Sequence, residues 1–171
     1  MIDVEATARA EEFAARWMKW VAGTSVVNSP LLDESGEDAG RKQPADVWFL
    51  GGTMGGAAQR EFNVPLGRPL FGPAFCMWSP APLALSHMEH AWGTVRVDGQ
   101  DLDTIRAATS KVRIRGALGN PVTQNFWPAS RYVVGVWAMI QPLAAGTHVL
   151  EIAGTNGYGF KVSVHATIHV S

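Results

Sequence analysis

The sequence predicts a mainly β fold: an antiparallel β-sandwich or jelly roll with one amphipathic helix at the N-terminus. It contains about eight short apolar or alternating segments, separated by turn residues at intervals of roughly 8 to 12 residues. It shows no alternation of strands with helices, which a parallel sheet would require. The chain has 171 residues, so we expect a single domain over residues 1–171.

The N-terminal helix is predicted over residues 3–21. Asp3 is suited to cap it, and Phe13, Trp17 and Trp20 recur at helical spacing on one face. We expect this face to pack on the sandwich, with a dimer contact or a pocket lid as alternatives. Residues 24–45 are polar and rich in turn residues, which predicts a long loop of the kind that often carries function.

The β segments follow this loop. A short helix is predicted near residues 82–91, and residues 101–110 are interpreted as a loop. Asp98-Gly99 indicates a hairpin turn. In the last segment, apolar residues from Val162 to Val170 alternate with polar ones, which predicts one buried and one solvated face. Strands are predicted over residues 46–50, 60–65, 69–78, 92–97, 112–118, 132–140, 147–152 and 160–170.

The composition limits the partners that we expect. Hydrophobic residues make up 47% and charged residues 17% of the chain, a low charged share that is compatible with a homo-oligomer. The net charge is −1, and the densest basic stretch, Lys111 to Arg115, alternates with apolar residues as on a strand. We therefore expect no nucleic-acid partner, since that affinity depends on a concentrated positive field.

The single cysteine, Cys76, excludes an intrachain disulfide and fits a reducing compartment. The first residues lack the basic start of a signal peptide, and no apolar run approaches the roughly 20 residues that cross a bilayer. The sequence thus predicts a cytoplasmic protein with no membrane partner.

Two motifs stand out in the β region, Val-Trp-Phe-Leu-x-Gly (Val47 to Gly52) and Pro-x-x-x-Gly-Thr-His (Pro142 to His148). In these motifs the chain resembles a family of uncharacterised bacterial β-sandwich proteins, many of them exported. The resemblance implies the fold rather than an activity. Exported members carry a cysteine pair near the positions of Ala39 and Phe62, and this chain has neither cysteine, in keeping with a cytoplasmic variant. The other shared residues are Asn28, Pro30, Leu31, Asp33, Gly36, Gln43, Arg60, Val64-Pro65, Gly67, Pro73, Gly135 and Trp137.

Asp33, Arg60 and His148 are the first candidates for catalytic residues. Arg60 shares a strand face with apolar residues, and a buried guanidinium must be paired. Asp33 is the favoured partner, with Glu37 or Asp46 as alternatives. The pair is either structural or lies beside a cavity where Arg60 fixes a ligand. His148 lies on an apolar strand face, where it is either structural or an acid/base group near neutral pH.

Glu89 and His90 form a second candidate set for acid/base catalysis. His87 and His90 share a helix face but do not match a zincin pattern. His165 and His169 lie on a solvated strand face, and a metal there would need a third ligand. We therefore predict no metal site.

Four tryptophans and a methionine are predicted to bind a ligand. The chain carries more indole and thioether side chains than a sandwich core about 10 Å thick can hold, so some should line an apolar cavity. The glycine-rich stretch from Gly51 to Gly56 lacks the Gly-Lys-Ser/Thr of a phosphate loop, and we expect no cofactor. The predicted ligand-binding residues are Trp48, Trp78, Trp92, Trp137 and Met77.

These observations support two main hypotheses and leave them open. One is a cofactor-independent enzyme that carries out an acid/base-assisted cyclisation, isomerisation, elimination or hydrolysis of an apolar small molecule. The other is a non-catalytic module that binds a small molecule or a carbohydrate. A structural or assembly protein is a third hypothesis.

Overall fold

The computed structural model describes residues 4–171, and its only α-helix within that range confirms the predicted one. The helix, α1, spans Val4–Ala22, so the predicted cap Asp3 lies outside the described residues. The expected short helix near residues 82–91 is a single 3-10 turn at Leu85–Met88. No helix in the described range is long and apolar enough to cross a membrane.

The strands form two five-stranded sheets, which confirms the predicted β-sandwich. Sheet A has the order β1-β3-β8-β6, with β7 also paired to β8, and sheet B has the order β2-β10-β9-β4-β5. In chain order the strands are β1 (Trp48–Phe49), β2 (Gly56–Val64), β3 (Leu70–Ser79), β4 (Trp92–Val97), β5 (Gln100–Leu102), β6 (Ile105–Ala108), β7 (Val112–Ile114), β8 (Ala129–Ile140), β9 (Gly146–Thr155) and β10 (Lys161–Val170).

Both sheets are mixed, whereas the sequence predicted antiparallel pairing. β1 pairs with β3 in parallel, and β2 pairs with β10 in parallel. Parallel neighbours need a long crossover, and β2 in the opposite sheet provides it between β1 and β3. Alternation of side chains reveals the faces of a strand but not its direction, so the sequence did not indicate these pairs.

Two short strands lie where a loop was predicted over residues 101–110. β5 closes the hairpin at Asp98-Gly99, whose positive φ angles of 52° and 79° confirm the predicted turn. β6 runs along β8 with Ala107 buried. Each is too short to show a periodic pattern, and pairing with a long neighbour stabilises it.

The surplus of aromatic side chains is accommodated in a second core between α1 and the outer face of sheet A. Trp137 is completely buried there, stacked on Phe71 with ring centroids 5.3 Å apart. Trp17 of α1 meets Trp137 edge-on at 5.5 Å. The inner core between the sheets is mostly aliphatic. The helix therefore forms a third layer. The predicted surplus of aromatic side chains assumed a core between two sheets only and did not include this layer.

The sheets approach each other most closely at a β-bulge in β3. The register shifts between Pro73 and Phe75, which leaves Ala74 as the extra residue. A side chain at Gly93 would meet the Ala74 side chain at 2.5 Å, and one at Gly154 would meet the Ala74 carbonyl oxygen at 2.2 Å. The two glycines thus allow a contact between backbones at this point.

We expect Trp137→Ala to lower the free energy of unfolding by about 3 to 5 kcal/mol, because it removes the centre of the outer core. Urea unfolding measures this change. Trp127→Ala is the matched control, since Trp127 is 66% exposed, and it should change stability by less than about 0.5 kcal/mol. Equal losses in both variants would contradict the assignment of the outer core.

Candidate functional site

Strand β3 has an open edge where its neighbour β1 ends. The parallel pair covers only Leu70 and Phe71, and the last bond beside it runs from the Leu50 N–H to the Phe71 carbonyl. The chain then turns away at Gly51. Within residues 4–171, no strand lies beside β3 from Cys76 to Ser79 on this side, although β8 pairs with the other side.

A cleft with a volume of about 390 Å³ lies along this open edge. We call it the β3 cleft. Its floor is β3 from Pro73 to Trp78, and its walls come from α1, from the loop after β1 and from the turn between β9 and β10. The residues on these walls and at the rim are Trp17, Leu31, Gly52, Thr53, Met54, Pro121, Asn156, Phe160 and Val162.

Among the described residues, the lining of the β3 cleft contains no acidic, basic or histidine side chain. Burial raises the pKa of the Cys76 thiol far above its ordinary value, so the reactive thiolate is not populated at neutral pH. The Asn156 side-chain oxygen accepts hydrogen bonds from the N–H groups of Tyr158 and Phe160, which shape the turn. The cleft therefore combines apolar side chains with the polar groups of Thr53, Asn156 and the backbone.

Arg60 lies beside the cleft with its guanidinium bound to three backbone carbonyls. Nε donates to Asp33 O at 2.6 Å, Nη1 to Gly51 O at 2.5 Å and Nη2 to Gly52 O at 3.0 Å. The residue is 5% exposed, as expected from its position on the buried face of β2. Desolvation lowers the pKa of Arg60, and the nearby Asp33 charge opposes this shift. These contacts correspond to the structural alternative for Arg60.

The Asp33 carboxylate organises its own loop instead of pairing with Arg60. It accepts hydrogen bonds from the N–H groups of Ser35, Gly36 and Asp38 and from the Ser35 hydroxyl. Burial raises the pKa of Asp33, but these hydrogen bonds outweigh it and hold the pKa below its usual value. Such a carboxylate has little tendency to take up a proton as a general base.

Asp33 and Arg60 border a smaller hollow of about 130 Å³, which shares Leu31, Thr53 and Met54 with the β3 cleft. The predicted pair is therefore a neighbour of the cleft and does not line it.

His148 forms an ion pair on the side of sheet B, away from the cleft. Its Nδ1 lies 2.7 Å from Asp98 Oδ2 and its Nε2 lies 2.9 Å from the Ala144 carbonyl oxygen. Both partners are acceptors, so the imidazolium donates twice. The hydrogen bond with Asp98 and that with Ala144 raise the pKa of His148, and the His148 contact lowers the pKa of Asp98.

Glu89 and His90 are both exposed, and neither lines the cleft. The His90 ring contacts the Tyr158 ring edge-on at 5.3 Å. His169 is bonded to Glu61 and Thr147. Within the described range, no group of three or more His, Cys, Asp or Glu side chains is arranged to hold a metal ion.

The predicted aromatic ligand-binding residues separate into two groups. Met77 and Trp78 line the β3 cleft. Trp48 is buried in the inner core and stacks on Phe62, Trp137 is buried in the outer core, and Trp92 is 54% exposed on β4. The sequence predicted an apolar cavity but did not indicate which tryptophans face it.

Several cleft residues had no role in the sequence analysis, among them Met54, Phe160 and Pro121. Met54 lies in the glycine-rich stretch from Gly51 to Gly56 and is 46% exposed, and Phe160 directly follows the stretch from Gly154 to Gly159 and is 41% exposed. A large apolar side chain at a turn was the signal that could have indicated these cleft residues, because a side chain at a surface turn does not pack into the core.

The chain matches no family model, no curated protein and no solved structure. Its resemblance to the exported bacterial proteins therefore stays a prediction.

Arg60→Met should lower the free energy of unfolding by about 3 to 5 kcal/mol, because it leaves buried carbonyl oxygens without donors at about 1 to 3 kcal/mol each. Urea unfolding provides the measurement. Arg96→Met is the control: Arg96 is 46% exposed and bridges Asp101, so its loss should cost at most about 1 kcal/mol. An Arg60 variant as stable as the control would show that the three contacts are dispensable.

The His148–Asp98 pair should make stability depend on pH. Because the folded pKa of His148 is raised, its contribution is complete below the ordinary value of about 6.5 and is lost as pH rises through the folded pKa. The wild-type protein should therefore lose more unfolding free energy between about pH 6 and about pH 9 than His148→Gln, by up to about 1 kcal/mol. His165→Gln, a change at an exposed residue, should keep the wild-type dependence; identical pH profiles for wild type and His148→Gln would refute this role.

Proposed function

We propose that this protein is a binding module that holds a small, uncharged and largely apolar molecule in the β3 cleft. The observation that carries the proposal is the lining. Aromatic, thioether and aliphatic side chains, with Thr53 and Asn156 as polar ones, surround about 390 Å³, and none of the described lining residues is charged. Ligand sites of small molecules typically measure about 300 to 1,000 Å³ and are mostly apolar with a few polar groups.

The composition of the lining supports a ligand without charge. A charged ligand would lose its hydration on entering and find no counter-ion in the lining, which is costly in an apolar site. Trp78 offers a partly exposed indole ring, and Met54 and Met77 offer adaptable surfaces. The cleft thus suits a flat or elongated apolar group.

Binding without catalysis is favoured over the enzyme hypothesis by the positions of the acid/base candidates. Arg60 and Asp33 lie next to the cleft with their polar atoms engaged by the backbone, and His148 is paired with Asp98 on sheet B. A cofactor-independent enzyme needs an acid or a base within hydrogen-bond reach of the substrate.

We also propose that the protein works in the cytoplasm, which the free thiol of Cys76 supports.

An uncharged fluorescent probe, N-phenyl-1-naphthylamine, tests the proposal. We expect saturable binding to the wild-type protein and an affinity at least about tenfold lower in Met54→Asp, because the carboxylate would lose hydration beside the probe. Leu66→Asp is the matched control: Leu66 is 59% exposed beyond the far end of β2, and its replacement should leave the affinity within about twofold.

The proposal fails if the wild-type protein shows no saturable binding of the probe. It also fails if Met54→Asp and Leu66→Asp bind the probe equally well, since the probe would then occupy another surface. Circular dichroism and thermal unfolding establish that both variants are folded before binding is compared.

A further inference from the structure

The floor of the β3 cleft is a strand whose outward backbone groups at its C-terminal half have no partner among the described residues. In antiparallel pairs, neighbouring residues direct their N–H and C=O groups to opposite edges. Val133 is bonded to Thr109 on the β6 side of β8, so Tyr132 and Val134 face β3. Their register partners, Ser79 and Met77, therefore bond to β8.

It follows that the N–H and C=O groups of Cys76 and Trp78 point to the open edge. No hydrogen bond from or to these backbone groups is found among residues 4–171 outside the pairing with β8. Both residues line the cleft. The cleft thus contains a row of peptide donors and acceptors with no partner among the described residues, and a ligand that displaces water from them must pair with them to avoid a cost.

β3 also lacks the charged side chains that most of the other edge strands carry. β2 has the exposed Glu61, β5 has Asp101, β6 has Arg106 and β7 has Arg113, whereas β3 contains no charged residue between Leu70 and Ser79. Charged side chains normally prevent a sheet edge from pairing with another chain. The uncharged edge of β3 is therefore suited to accept a further strand.

We propose that the ligand of the β3 cleft is an extended, uncharged peptide segment that adds to sheet A as a strand beside Cys76 and Trp78. This inference rests on the proposed function and names the ligand class for the same site. The unpaired backbone groups demand amide chemistry from the ligand, and the uncharged lining demands uncharged side chains. Strand addition gives affinity through the backbone, while alternate side chains enter pockets on the two faces.

Both faces of the open edge offer apolar contacts to such a segment. The side chains of Cys76 and Trp78 pack against the outer core, and Met77 packs against the inner core. Trp17 lies on the first side, and Phe160 extends the inner-core side through its edge contact with Phe75. An incoming strand therefore meets apolar surface with every residue, not only with every second one.

Two peptides of the same amino-acid sequence test the inference on the wild-type protein. The first is acetyl-Thr-Val-Thr-Val-Thr-amide, and the second is methylated on the amide nitrogens of two adjacent central residues, which blocks both edges of the extended peptide. The first peptide should displace N-phenyl-1-naphthylamine with saturation. The methylated peptide should bind at least about tenfold more weakly, because it loses the backbone pairing and gains only apolar groups.

A backbone variant locates the pairing. Cys76→Pro removes the outward N–H, and proline is tolerated on an edge strand where the N–H faces outward. In this variant the ratio of the two peptide affinities should fall towards one. Cys76→Ala removes only the thiol and should keep the wild-type ratio. If Cys76→Pro does not fold, the comparison of the two peptides on the wild-type protein still decides the question.

The outcomes separate this inference from the proposed function. If the probe binds but the two peptides compete equally, or neither competes, the peptide ligand is refuted and the apolar binding site stands. If neither the probe nor a peptide binds, both proposals fall. If light scattering shows a dimer that Cys76→Pro abolishes, the edge is occupied by a second copy of the chain, which also overturns the peptide ligand.

Discussion

The Arg60 guanidinium is the interaction on which the site depends. One buried cation holds the carbonyls of Asp33, Gly51 and Gly52, and so connects strand β2 of sheet B to the two loops that flank β1. Because Gly51 and Gly52 are drawn towards Arg60, the chain leaves the edge of β3 after Leu50 and does not extend β1 along it. The open edge and the cleft beside it follow from this diversion.

Helix α1 supports the same region from the other side of sheet A. Trp17 belongs to the outer core, lines the cleft and donates its indole N–H to the Leu50 carbonyl at 2.8 Å. This bond satisfies a backbone acceptor at the place where β1 stops pairing with β3. Trp17 therefore contributes both to the packing of the helix on sheet A and to the wall of the cleft.

The sequence predicted the features that local chemistry determines. The helix, the turn at Asp98-Gly99, the alternation of β10 and the burial of Arg60 all follow from spacing and residue type. The parallel pairs and the location of the cleft depend on which distant strands become neighbours, and residue spacing does not report this. The partners of Arg60 are backbone carbonyls, which every residue possesses, so no side-chain pattern marked them.

The bulge at Ala74 has a geometric consequence for the width of the site. Gly93 and Gly154 let the two layers touch there, backbone against backbone, a short distance along β3 from Cys76. Ala74 also lines the β3 cleft, so this contact borders the site. A methyl group added at either glycine would push the two sheets apart at this contact. The shape of the cleft therefore depends on two glycines that do not line it themselves.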